Sequence, residues 1–198
     1  RRMLMTQRAL TEGCRMLALW TAQALDVSER HPDAEARRHA ADVVALMTPV
    51  VKAFLTDCGS EIANLGVQVL GGHGFIRANG QEQYVRDVRI TQIYEGTNGV
   101  QSADLLGRKV LHLDLLECFA KPVKSFVETH EGNDGLSEFL GPLAASFDLL
   151  QDATWMIRER AAAHPDEAGA AAVDYMRLFA LTALAYLWAR AAEVSLPK

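Results

Sequence analysis

Cysteine is scarce in this sequence, with three among 198 residues, Cys14, Cys58 and Cys118. An odd, widely spaced set builds neither a disulfide framework nor a zinc pattern, so a reducing compartment is expected, a cytoplasmic setting, and no metal site. Proline is nearly as rare, at six residues, and aromatics make up only 7%. No uninterrupted apolar run reaches the ~18 residues of a membrane helix, so no membrane span is expected. Neither sign of charge dominates: 20 Lys+Arg against 25 Asp+Glu leave a net charge of −5, too mild and dispersed for a nucleic-acid surface. Alternation with period two is missing throughout, which argues against a sheet. What remains, 49% hydrophobic and 23% charged residues, is the composition of a packed globular chain. The sequence opens on Arg1-Arg2 with neither an initiator methionine nor a signal-peptide core, and the expectation is that it is part of something larger.

Helical periodicity fills the space that these absences leave. Residues 1–30 carry Leu10, Cys14, Leu17 and Ala18 at helical spacing, ended by His31-Pro32, with Asp33 as the next N-cap. From Ala34 to Leu70 the pattern reads as one long helix or two stacked ones, with a kink expected near Met47 because of Pro49. Gly71-Gly72 is a stop. The stretch YVRDVRITQIY reads as irregular or as a single helical turn, and from Thr97 the pattern is helical again, with Thr97 or Asn98 as N-cap. Three further runs follow at roughly 112–130, 136–163 and 166–193. The last places Tyr175, Leu178, Phe179, Thr182 and Tyr186 on one core-facing stripe. The fold class expected is all-α, about six helices in two helical units: residues 1–110, and a smaller one over 111–198.

Two segments stand out chemically. In Gln68-Val69-Leu70-Gly71-Gly72-His73-Gly74-Phe75, a helix ends in glycines that let a ligand approach the backbone closely, beside an amide able to donate and accept. The same block can equally be a plain helix C-cap. In Ile93-Tyr94-Glu95-Gly96-Thr97-Asn98-Gly99-Val100-Gln101, a carboxylate stands just before a helix start. Desolvation by Ile93 and Tyr94 would raise its pKa toward that of a general base, while a glutamate there is also favourable through the helix dipole alone. His73 is expected to be structural or solvent-facing, Arg86-Asp87 a structural ion pair, and Cys58 and Cys118 packed thiols.

Together, QVLGGHGF, YVRDVRI and YEGTNGVQ, in this order, resemble the C-terminal helical domain of the acyl-CoA dehydrogenases, flavoenzymes that introduce an α,β double bond into acyl-CoA thioesters. The resemblance covers about residues 1–110. Residues 111–198, with the run DYMRLFALTALAYLWARAA, resemble the extra helical domain of a longer subgroup that includes enzymes similar to 3-methylmercaptopropionyl-CoA dehydrogenase. The resemblance implies that Glu95 abstracts the α-proton while the β-hydride passes to FAD. It implies that the Glu95 N–H and a flavin ribityl hydroxyl receive the thioester oxygen, and that Tyr94 and Gly96 line the thioester end of the acyl pocket. It further implies FAD contacts through Gln68, Val69, Leu70, Gly71 and Gly72, serving a neighbouring subunit, and through Thr97 and Gly99. Gly99 stands where medium-chain-like relatives often carry Gln, which removes a side-chain contact there. An acyl-CoA substrate, an electron-transfer flavoprotein as acceptor and a homo-oligomer are implied as well. The family's N-terminal helical domain and middle β-domain have no counterpart in this sequence, so the 198 residues alone are expected to be inactive. Two other readings remain: an acyl-CoA oxidase on the same scaffold, and a non-catalytic helical assembly module.

Overall fold

A computed structural model of the chain describes residues 1–196, and these are all-α. Helix α1 (Arg2–Arg30) runs to His31-Pro32. Asp33 then caps α2 (Ala34–Leu70), its carboxylate accepting from the backbone N–H groups of Glu35 (3.2 Å) and Ala36 (3.1 Å). These two bonds hold the Asp33 carboxyl below its ordinary range. The alternative of two stacked helices falls away, because α2 is continuous over 37 residues with Pro49 inside it. An internal proline costs about 3 kcal/mol and leaves the Ala45 carbonyl without its helical donor. Burial offsets that cost: Leu46, Met47, Val50 and Ala53, around the proline, are all 0% exposed.

After Gly71 come a single turn α3 (Gly72–Phe75), a 3₁₀ turn Arg77–Asn79 and α4 (Gln81–Arg89). Helix α4 is longer than the irregular or one-turn segment read from YVRDVRITQIY. Its polar surface hides the period, and its packing on α2 supplies the stability that its sequence lacks. Arg86 and Asp87 form no ion pair among the described residues, contrary to expectation. Adjacent helical residues point about 100° apart, so the two side chains do not face each other.

A second 3₁₀ turn, Ile90–Gln92, leads through a short loop into α5 (Asn98–Ala103), which continues as a π-helical stretch, Asp104–His112. The junction 113–116 follows. There Asp114 holds a left-handed φ of +54° and receives Arg158 Nη2 at 2.6 Å. Helices α6 (Glu117–Thr129), α7 (Ser137–Ala163) and α8 (Asp166–Ser195) complete the chain.

The stripe expected on α8 is buried at Tyr175, Phe179, Thr182 and Tyr186, with Leu178 half-buried, and burial widens to Ala172, Met176, Ala180, Ala183, Leu184, Leu187 and Ala189, while Val173, Asp174, Arg177 and Leu181 keep one side exposed. Helix α8 packs against α1, α2, α5, α7 and the π-helical stretch. Its alanines permit the close approach, as does Gly13 on α1, where a Cβ would lie 3.1 Å from Trp188 Nε1. Trp20, Phe119, Phe126, Phe179 and Tyr186 interlock at the centre, with Phe119 and Phe179 ring centroids 4.9 Å apart. Helices α2 and α8 are long and apolar enough to cross a membrane by length and composition, and roughly half of each apolar window is buried within the chain. Cys14 and Cys58 are buried; Cys118 is partly so, its Sγ donating to the Leu115 carbonyl at 2.9 Å.

One buried polar pair links α7 to α8. Thr154 Oγ1 donates to the Leu150 carbonyl at 2.7 Å, so the Tyr175 hydroxyl is the donor in the 2.7 Å contact between Tyr175 and Thr154. Burial pushes the phenol up to about 12. A folded value above the unfolded one of about 10 stabilises the fold fully below pH 10, and this contribution is lost as pH rises through 12. Urea unfolding over pH 9–12 should therefore show the parent chain losing about 2–3 kcal/mol more than Tyr175→Phe. Equal losses in the two would place the alkaline sensitivity elsewhere.

Candidate functional site: the Glu95 loop and the glycine block on α2

The Ile93–Thr97 loop is built on α2. Asn98, the first residue of α5, donates from Nδ2 to the Ala53 carbonyl (3.1 Å), Thr56 Oγ1 (2.9 Å) and Asp57 Oδ1 (2.7 Å), and its Oδ1 accepts from Lys52 Nζ (2.8 Å). Thr97 is the N-cap, as expected, with Oγ1 accepting from the Val100 N–H at 3.4 Å.

Between these anchors Glu95 adopts φ +52° and Gly96 φ +85°. A glutamate in the left-handed region is uncommon and costs roughly 1–2 kcal/mol. Gln101 Nε2 donates to the Glu95 carbonyl at 3.2 Å and helps to hold the turn. A Cβ at position 96 would sit 2.9 Å from that same Nε2 and displace it, and the φ of +85° itself requires glycine. The Glu95 backbone N–H has no acceptor among the described residues, and its carboxylate joins no ion pair or hydrogen bond there. The loop thus presents one free carboxylate and one free N–H from the same residue.

The desolvation expected from Ile93 and Tyr94 does not occur within this chain. Ile93 is 47% and Tyr94 50% exposed, and Glu95 is exposed with them. Side chains on a convex loop cannot shield a carboxylate between them; a second wall would have to close over it.

The glycine block lies at the C-terminal end of α2, three helical turns beyond Asp57 and roughly 17 Å along the axis. Gln68, Val69 and Leu70 are exposed on the last turn. Gly71 closes it at φ +60°, and a Cβ at Gly71 or Gly72 would meet nothing within 4 Å. Gly74 differs: it is buried, and a Cβ there would come within 2.6 Å of the Val67 carbonyl oxygen. Gly74 therefore serves packing, while Gly71 and Gly72 offer bare backbone. His73 is exposed, as expected. Gly99 is exposed, and the nearest heavy atom to a Cβ there is Thr97 Oγ1 at 4.0 Å. The two blocks share α2 as scaffold but are not gathered into one pocket.

Beside the loop, a cavity of about 350 Å³ is lined by Asn98, Gly99, Asp57, Glu61, Asp174 and Arg177 together with apolar residues of α1, α2 and α8. Sequence reasoning missed Asp57 and the wall from α8, since residues so far apart in the chain meet only through tertiary packing.

Residues 1–111 match the family model described as acyl-CoA dehydrogenase, C-terminal domain, and residues 119–198 match that described as acetyl-CoA dehydrogenase C-terminal like. The chain is 52% identical over 111 residues to the 3-methylmercaptopropionyl-CoA dehydrogenase of Ruegeria pomeroyi, a match covering 56% of the chain and 19% of that protein. It is 36% identical over 155 residues to the broad-specificity linear acyl-CoA dehydrogenase FadE5 of Mycobacterium tuberculosis, covering 76% of the chain and 25% of that protein. In fold, it is similar to Caenorhabditis elegans ACDH-11, solved in complex with C11-CoA, with a TM-score of 0.76 and 23% identity over 95% of the chain and 32% of ACDH-11. The chain spans about a fifth to a quarter of the length of these two curated relatives. With more than half of its residues matched by the first model, the chain belongs to the acyl-CoA dehydrogenase family, of which it carries the C-terminal helical portion.

Proposed function

We propose that the chain is the C-terminal part of an FAD-dependent acyl-CoA dehydrogenase that forms an α,β double bond in an acyl-CoA thioester, with Glu95 as the base. The observation that carries this reading is the Glu95 turn: a carboxylate without partners in the chain, on a backbone fixed at φ +52°, with its own N–H unengaged. A proton next to a thioester carbonyl is only weakly acidic, so its removal needs a base at the α-carbon and a donor for the oxygen that gains charge. Glu95 can supply both, the carboxylate taking the proton and the N–H donating to the thioester oxygen. Tyr94 and Gly96 flank the thioester end.

The residues present fit a flavin nucleotide: the Gly71–Gly72 backbone is open, Gln68 exposes an amide, and Thr97 and Gly99 stand at a helix start, where anions are favoured. Gln68, Val69, Leu70, Gly71 and Gly72 would hold FAD on one side, and Thr97 and Gly99 on the other. When bound, FAD supplies the two-electron acceptor. The glycine block would then serve the cofactor of a neighbouring subunit, as the resemblance implies, and so a homo-oligomer. Phe75, 79% exposed, and Ile76, 50% exposed, beside the glycine block supply apolar surface for such an assembly. An electron-transfer flavoprotein as acceptor, a cytoplasmic setting and a division into units 1–110 and 111–198 complete the proposal. The break between the two family matches, at residues 111 and 119, supports that division.

Exposure of Glu95, Tyr94 and Ile93 supports the inactivity of the 198 residues alone, because the dry pocket needs a wall from elsewhere in the enzyme. Purified and mixed with FAD, the chain should retain no flavin spectrum after gel filtration and should reduce no dye with acyl-CoA. Fused behind the preceding portion of the Ruegeria relative, it should gain both properties. A yellow, active 198-residue protein would overturn the claim of inactivity, and a flavin-loaded fusion without turnover would overturn the catalytic reading.

A further inference from the structure

The strained turn at Glu95 is tied at both ends to one atom. Asp57 Oδ1, on α2, accepts from Gln92 Nε2 at 2.6 Å and from Asn98 Nδ2 at 2.7 Å. Gln92 is the last residue before the loop and Asn98 the first after it, so a single carboxylate oxygen closes the five-residue span 93–97. Short bonds to an ionised acceptor are the stronger kind. Asp57 joins no ion pair among the described residues, and both of its hydrogen bonds there go to the two ends of this loop. A non-glycine residue at φ +52° persists only where its surroundings over-determine it; Gln101 on the Glu95 carbonyl and the bonds of Asn98 to Ala53, Thr56 and Lys52 contribute, and Asp57 alone reaches both ends of the loop.

We propose that Asp57 is the positioning residue of the Glu95 loop, aiming the carboxylate and N–H of Glu95 without touching substrate; the catalytic half of this inference rests on Glu95 being the base. The test has two arms. In the 198-residue chain, amide hydrogen exchange reports the loop whatever its chemistry. In Asp57→Ala, the Tyr94 N–H, bonded to the Ile90 carbonyl, and the Gln101 N–H, bonded to the Thr97 carbonyl, should exchange at least about tenfold faster, while the α2 core amides keep their rates. Asp57→Asn keeps an oxygen that can accept both bonds and should stay near the parent. Gln92→Leu, which frees only the entry to the loop, should accelerate Tyr94 alone.

In the flavin-loaded fusion, Asp57→Ala should lower kcat per bound flavin by about 10²-fold, the loss that a misplacement of about 1 Å brings, with KM little changed and Asp57→Asn restoring most of the rate. Unchanged exchange at Tyr94 and Gln101 in both Asp57→Ala and Gln92→Leu overturns the anchoring. Faster exchange with kcat unchanged overturns the positioning role and leaves Glu95 untouched as the base. If Glu95→Gln keeps its turnover, the reading of Glu95 falls, and the exchange data still stand as the measure of the anchor.

Discussion

In the flavin-loaded enzyme, Glu95→Gln lowers turnover by about 10²–10⁴-fold, the contribution of a positioned general base. Glutamine preserves the length and shape of the side chain and leaves the backbone N–H in place, so the loss isolates proton abstraction from oxygen binding. The Glu95 carbonyl remains available to Gln101, and the carboxylate has no partner in the chain whose loss could loosen the loop. For the same reason, the thermal stability of the 198-residue chain should shift by less than about 0.5 kcal/mol. The flavin content of the variant, read from its visible spectrum, should equal that of the parent. Turnover within a fewfold of the parent would remove Glu95 from the mechanism and, with it, the reason for the loop's geometry.

The largest effect on stability is expected at Phe179. Its side chain is 0% exposed and packs against Phe119, itself 1% exposed. Truncation to alanine in so enclosed a site costs about 3–5 kcal/mol, the transfer free energy of the ring plus the cavity it leaves. Against a total stability of about 5–15 kcal/mol, that is a major fraction. Urea unfolding should show the midpoint falling with the slope unchanged, and the melting temperature should drop by on the order of 10 °C. Phe75→Ala makes the contrast, because Phe75 is 79% exposed and its removal should change stability by less than about 0.5 kcal/mol. Similar losses at the two positions would mean that the aromatic cluster around Phe119 is not the keystone of the core.

Much of this architecture is legible in the residue pattern, and the exceptions have physical causes. Helices α1, α7 and α8 end within two residues of their expected limits because Pro and Gly punctuate them, and Asp33 caps α2 as a short acceptor before a helix should. Helix α4 is hidden because its buried side rests on only two apolar residues, Val85 and Val88, among charged and polar ones. The breadth of the buried side of α8 is hidden because alanine is as much at home on a surface as in a core. For the site, the YEGT motif marks Glu95, but the motif carries no sign of the left-handed turn, since nothing about a glutamate announces φ +52°. Asp57 is least legible of all: it lies 35 residues from Gln92 and 41 from Asn98, and only the fold joins them.

The central place of α8 also sets an order of events during synthesis. Until Asp166–Ser195 leaves the ribosome, α1, α2 and α5 can pack on one another, but α7 lacks its main partner and the earlier helices lack the face that α8 covers. At roughly 5–20 residues per second, this 30-residue helix takes seconds to appear, and for that interval the faces it covers on the earlier helices stand open. The nascent chain therefore passes through a stage in which α1 and α2 can pair while α7 stands without its main partner, a stage suited to chaperone capture. A chain stalled before Asp166 would carry the Glu95 turn and the glycine block on a scaffold that has yet to close.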